Sequence, residues 1–261
     1  VRWPLTFPAQ HVHGFVVSDR FHQLLGSFQE FDQSAAYPSD VLPVARSAFA
    51  DAGQTPDWLP STVTDTSGHS PEASAGLRDQ FYSRAIDDLR AQWPVQLSAV
   101  RYQGLDTVGH YNLRYTEPRE AAGASDDERR RRLQVIDRYY GYIDSEIGKA
   151  MSELLPGDLL LVISGFGMEP PNAVKRLLGR LIGDPMSGTH ERAPDGFLLA
   201  YGTTVEPGRH PRGSIVDVAP TVLYFLGLPV GRDMDGYARA DLFRSTFTAE
   251  RPIAFVPTHN R

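Results

Sequence analysis

Pro156-Gly157-Asp158-Leu159-Leu160-Leu161-Val162-Ile163 joins two different hydrophobic patterns. Upstream, Leu133, Ile136, Tyr140, Ile143, Ile147, Met151 and Leu154 recur at spacings of three and four, the signature of one apolar helix face. Ser125 followed by Glu128 supplies a capping box ahead of that run, and Pro156-Gly157 stops it. From Leu159 the chain is continuously apolar for five residues, too short for a membrane span and typical of a strand buried on both faces of a mostly parallel sheet. A long helix delivered through a tight stop into such a strand predicts α/β architecture.

Reading outward supports the same class. Phe197-Leu198-Leu199-Ala200-Tyr201, ended by Gly202, reads as a second apolar strand. Asp217 to Leu226 reads as a helix with Pro220 in its first turn, terminated by Gly227-Leu228-Pro229. Toward the N-terminus, Gly14 to Ser18 predicts a short buried strand around Phe15, Leu77 to Gln92 a helix, and Val95 to Leu105 a strand that ends at Asp106. Residues 35–73 are rich in Pro, Ser, Thr, Asp and Gly. They predict a loop-rich insertion with short surface helices, not a core element.

Composition narrows the function classes. The 261 residues suffice for a large core, with 41% apolar and 22% charged residues. A net charge of −6 and the lack of a long basic block argue against a nucleic-acid patch. The run Arg129-Arg130-Arg131-Arg132 follows Asp126-Asp127-Glu128, so its charge is nearly cancelled, as on a solvated helix face. No run reaches the length of a transmembrane helix. Without cysteine there are no disulfides or thiolate sites, so a bound metal must use His, Asp or Glu.

Three such residues stand out. Asp106 sits where the predicted strand ends, the position at which ligands gather in open α/β sheets. His110 follows four residues later, and His190 lies in Gly188-Thr189-His190-Glu191, just before the Phe197 strand. Each has a plain structural reading, as a capping aspartate or a surface histidine. Together they form a two-imidazole, one-carboxylate set that can hold a divalent ion and leave positions open. Asp217 and Asp235 read as a helix cap and a turn former respectively.

Several separated segments carry a family resemblance. Gly104-Leu105-Asp106-Thr107-Val108-Gly109-His110 resembles the G-L-D-x-x-G-H segment of type I phosphodiesterases and nucleotide pyrophosphatases, members of the alkaline phosphatase superfamily. Gly188-Thr189-His190 through Pro194-Asp195-Gly196 is similar to their G-T-H-x-x-x-P-D-G segment. Asp217-Val218-Ala219-Pro220-Thr221, Gly227-Leu228-Pro229 and Asp233-Met234-Asp235-Gly236 resemble later segments in the same order, and Trp3-Pro4-Leu5-Thr6-Phe7-Pro8 an earlier one.

The resemblance implies an alkaline-phosphatase-like α/β fold, with a mostly parallel central sheet flanked by helices on both faces. It implies a metal-dependent hydrolase of phosphoric ester, phosphodiester or pyrophosphate bonds that acts on a small phosphorylated substrate. It further implies two metal ions, usually zinc, and a Thr or Ser nucleophile. One ion's ligands carry over as Asp106, His110 and His190. The family's S-D-H-G would fall on Ser164-Gly165-Phe166-Gly167, where Gly165 and Phe166 offer no ligand. The nucleophile and first aspartate precede the Trp3-Pro4 segment in the family. The expectation is therefore one domain over 1–261, N-terminally incomplete, with its nucleophile outside this chain; neither Ser18, Ser164 nor Thr189 is a replacement.

Two readings of the missing ligands stay open. The full protein is an enzyme with an altered site, in which Glu169 substitutes or one ion suffices. Alternatively, the second site has decayed and the protein is an inactive relative that binds a ligand or a protein. Compartment is open too, a periplasmic or extracellular one being compatible with the resemblance.

Overall fold

A computed structural model describes residues 9, 12–21, 33–52, 70–117, 121, 123–182 and 187–259. The Trp3-Pro4 segment and residues 53–69 of the expected insertion lie outside this set. The fold is α/β, with seven α-helices and three two-stranded sheets among the described residues. The chain divides into two compact units, residues 1–144 with 169–189, and residues 145–168 with 190–261.

In the first unit, β1 (Val16–Val17) pairs antiparallel with β2 (Ala36–Tyr37). Helix α1 (Leu42–Ala52) and helix α2 (Pro71–Gln92) build the core beside them. Leu42, Ala45, Ala48 and Ala52 of α1 are buried against Phe81, Ala85 and Leu89 of α2, and Phe21 stacks on Phe81 at 5.4 Å. This corrects the expectation that residues 35–73 stay out of the core. The buried face of α1 is mostly alanine, which closes two helices tightly but gives a weak hydrophobic signal.

Ser70 caps α2, its Oγ accepting from the Ala73 N–H at 2.9 Å, with Pro71 in the first turn. The opposite face of α2 is polar yet buried. Glu72, Asp79 and Ser83 recur at helical spacing and face helix α3 (Gly104–Asn112) and helix α4 (Asp126–Glu153). Apolar contacts among Ala73, Val108, Val135, Tyr139 and Leu105 hold these three helices together. The expected capping box of α4 forms in part, with the Glu128 N–H donating to Ser125 Oγ at 3.1 Å. The first unit also contains helix α5 (Ala173–Ile182).

Residues 95–105, expected as a strand, contain none: 95–103 form no regular element, and Gly104 already begins α3. Leu97 is exposed and no neighbouring strand pairs with the segment. Asp106 therefore lies in the first turn of a helix, not at a strand end.

In the second unit, β3 (Leu160–Phe166) and β4 (Asp195–Tyr201) pair antiparallel, from Leu160 opposite Tyr201 to Phe166 opposite Asp195. Gly196 is required in this ladder, because a β-carbon there would strike the Ser164 carbonyl oxygen. Helix α6 (Val218–Phe225) starts after Ser214, whose N–H donates to Asp217 Oδ2 at 2.8 Å. The other oxygen of Asp217 accepts the Tyr237 N–H at 2.9 Å, so this carboxylate is a cap and a turn anchor, as its sequence position suggests. Short strands β5 (Val230–Gly231) and β6 (Phe255–Val256) pair in parallel. Tyr224, Phe243 and Phe247, the last on helix α7 (Ser245–Glu250), form the unit's core with Leu159 and Leu198.

The expected mostly parallel central sheet is not seen among the described residues. The longest pair is antiparallel, and the parallel pair is two residues long. Nor is the Leu159–Ile163 run buried on both faces. Ile163 and Phe166 are exposed, as are Phe197, Leu199 and Tyr201 across the ladder.

Candidate metal centre

Helix α3 is short, and its ends are held by α2. The Asp79 carboxylate is buried and accepts the N–H groups of Gln103 at 3.1 Å and Gly104 at 2.7 Å. It thereby satisfies two of the donors that every helix leaves unpaired at its start. Tyr139 of α4 donates its hydroxyl to the same carboxylate. Seven residues earlier on α2, Glu72 Oε1 accepts from Asn112 Nδ2 at 3.1 Å and from Arg132 at 3.1 Å. One helix thus grips the other at both ends with two buried carboxylates, and α3 runs antiparallel to α2.

Burial raises the Asp79 pKa, opposed by hydrogen bonds from Tyr139, Gly104 and Gln103 and by the charge of Arg78. Burial, then the neighbouring Asp79 charge, raises the Tyr139 phenol and keeps it protonated as a donor. Gly104 is needed here because any β-carbon would run into the Tyr139 ring.

On the helix so held, Asp106 and His110 are four residues apart and share a face. Asp106 Oδ1 lies 3.6 Å from His110 Nε2. The His110 ring is oriented by its other nitrogen, which is 2.8 Å from the Gly188 carbonyl oxygen. A carbonyl only accepts, so Nδ1 carries the proton and Nε2 presents its lone pair. The connection is reinforced along the backbone. The His110 carbonyl accepts from Ser187 N–H at 2.5 Å and Gly188 N–H at 3.1 Å, and from the buried Ser187 hydroxyl at 3.2 Å.

His190 follows Gly188 by two residues and is oriented in the same way. Its Nδ1 is 2.7 Å from the Gly167 carbonyl oxygen, so in the neutral ring the proton sits on Nδ1 and Nε2 is the nitrogen that could take a metal. The Phe166 ring meets the His190 ring edge-on, with centroids 4.7 Å apart.

Asp106, His110 and His190 each offer one ligand atom, and these atoms all lie within 4.8 Å of one another. All three residues are half-buried. With metal–ligand distances of about 2 Å, such a triangle can hold one ion. The group forms as the sequence reading expects, although Asp106 reaches it from a helix. It is the one cluster of three such side chains among the described residues.

Glu169, the suggested substitute ligand, is not part of the group; its main chain pairs with that of Thr189 at 2.9 and 2.8 Å. Gly165 and Phe166 supply no donor atom. Ser164 donates its hydroxyl to the Phe166 carbonyl, and buried Ser18 holds a turn by accepting the Arg20 N–H.

Sequence reasoning missed the supports: Asp79, Glu72 and Tyr139, and the Gly188 and Gly167 carbonyls. The buried polar stripe of α2 left one readable signal, since Glu72, Asp79 and Ser83 share a helical face opposite Phe81, Ala85 and Leu89. No family model, curated protein or solved structure matches the chain.

Proposed function

We propose that this protein is a metal-dependent hydrolase of phosphoric ester, phosphodiester or pyrophosphate bonds, with Asp106, His110 and His190 as the ligands of one divalent ion. The observation that carries the reading is the grouping of their ligand atoms within 4.8 Å, with both imidazoles turned to offer Nε2. Two nitrogens and a carboxylate oxygen suit zinc, and three protein ligands leave room for water or a phosphoryl oxygen. The bound ion would supply Lewis acidity toward that oxygen. The chain's own contribution is to hold the ligands in one tautomer and one place, so little reorganisation accompanies binding.

Kinship with the type I phosphodiesterases rests on the ordered motifs, not on the sheet, whose longest described pair is antiparallel. One observation favours a second reading, an inactive relative that binds a ligand or partner. Where the family's second ion would take two ligands, this chain has Gly165 and Phe166, and the aromatic ring packs on a ligand of the first.

Turnover separates the two. A full-length, folded preparation loaded with zinc or manganese should release phenolate from an aryl phosphodiester, and H190A should abolish it; this chain alone, without the nucleophile, is expected to be inactive. Metal uptake without turnover would favour the binding reading. No metal uptake by the wild-type chain would sink the hydrolase reading.

A further inference from the structure

Phe166 ends β3 in contact with a ligand of the candidate ion. Its ring meets the His190 ring edge-on, with centroids 4.7 Å apart, and an ion on Nε2 would be bonded to that same imidazole. The neighbouring main chain fixes where the phenyl ring stands. Phe166 pairs with Asp195 in the ladder, and the Gly167 N–H donates to the Pro194 carbonyl at 2.9 Å. The Gly167 carbonyl, one peptide further on, is the group that orients His190. Despite these ties Phe166 is 59% exposed. Phe197, opposite Ser164, lies diagonally across the ladder on the same face and is 54% exposed. Two open phenyl groups thus stand on the sheet face that carries the contact with His190.

We propose that Phe166, with Phe197 on the same face, is the specificity-determining surface of this site and takes an aromatic group carried by a phosphoryl ligand. The inference rests on the reading of Asp106, His110 and His190 as ligands of one ion, and it holds with or without turnover. A phosphoryl ligand has oxygens for an ion and an organic substituent that gains by leaving water. Phe166 supplies an apolar surface on a metal ligand itself. An aromatic substituent fits that surface best, because two rings add an offset-stacked or edge-to-face attraction to the burial of area. The ring is already held in place by its strand, so little ordering opposes the contact. The family resemblance does not supply this contact, since its motif has a metal ligand where this chain has Phe166.

The test uses phosphonates, whose P–C bond resists hydrolysis, on the full chain. Isothermal titration first counts zinc, then compares phenylphosphonate, cyclohexylphosphonate and methylphosphonate on the zinc-loaded protein. Phenylphosphonate should bind tighter than the cyclohexyl compound by about threefold or more, and tighter than the methyl compound by about tenfold or more. F166L should lose the preference for phenyl over cyclohexyl and F166W should keep it, while both take up zinc as wild type does. The inference is overturned if zinc-loaded wild type binds none of the three, or binds phenyl and cyclohexyl equally. It is overturned too if F166L keeps the preference, or if chelator-stripped protein binds phenylphosphonate as well as the zinc form does. Loss of zinc from F166L would also defeat it, because the ring would then act only by holding His190. A wild type that takes up no zinc is the one outcome that removes the metal reading together with this inference.

Discussion

The hydroxyl of Tyr139 donates to the carboxylate of Asp79, and that carboxylate holds the first amides of the helix carrying Asp106 and His110. The ligands of the candidate ion therefore depend on a buried polar contact between two other helices.

Y139F should destabilise the protein by about 1–3 kcal/mol, because the phenyl ring keeps the packing while the buried carboxylate loses a donor. Urea unfolding measures this. A change within a few tenths of a kcal/mol would mean that the Asp79 carboxylate does not depend on Tyr139.

Asp79 also makes a signed pH prediction. Burial is the largest influence on its pKa and raises it. A folded-state pKa above the unfolded value means that the folded protein prefers the protonated acid. The associated stability is fully present below the unfolded value of 3.8 and is lost as pH rises through the raised folded value. The amide introduced by D79N does not titrate, so wild type should gain stability relative to that variant as the solution is acidified toward that range. Paired urea melts across acidic pH test it. A gain for D79N instead would show that the donors around Asp79 outweigh its desolvation.

G104A inserts a methyl group against the Tyr139 ring. It should cost about 1–3 kcal/mol, typical of overpacking, and should displace the start of α3. Zinc affinity, measured by competition with a chelating dye, is expected to fall in this variant although no ligand has changed. If stability falls while affinity is untouched, the two ends of α3 are independent.

Isothermal titration should find one equivalent of zinc on wild type. H110A and H190A should each lower affinity by more than about a hundredfold, beyond the usual effect of changing a group that only orients a ligand. A wild-type protein that takes up no zinc would remove the centre altogether.

Local rules explain why some of this was legible in the sequence. The helix before Pro156 and the capping role of Asp217 were readable because periodicity and capping chemistry act between residues close along the chain. The Asp106–His110–His190 set was readable because residues of ligating type stand in ordered motifs that resemble those of a phosphodiesterase family; spacing alone says little, since His190 is far along the chain. The pairing of β3 with β4 was not, since an apolar run such as Leu159–Ile163 does not state the direction of its partner. Nor was the helical setting of Asp106, because the signal that starts α3 comes from Asp79, 25 residues before Gly104. The burial of α1 escaped notice because alanine contributes close packing with little hydrophobic contrast.

Both imidazoles are aimed by main-chain carbonyls, those of Gly188 and Gly167. Their orientation is thus invisible to side-chain replacement. An alanine scan through this region would identify the ligands and overlook what points them. Drift at neighbouring positions can change the residues around the centre without rotating either ring, provided the peptide path holds. Only an alteration of the backbone itself, such as an amide-to-ester exchange that weakens the Gly188 or Gly167 acceptor, would reveal how much the centre owes to those two oxygens.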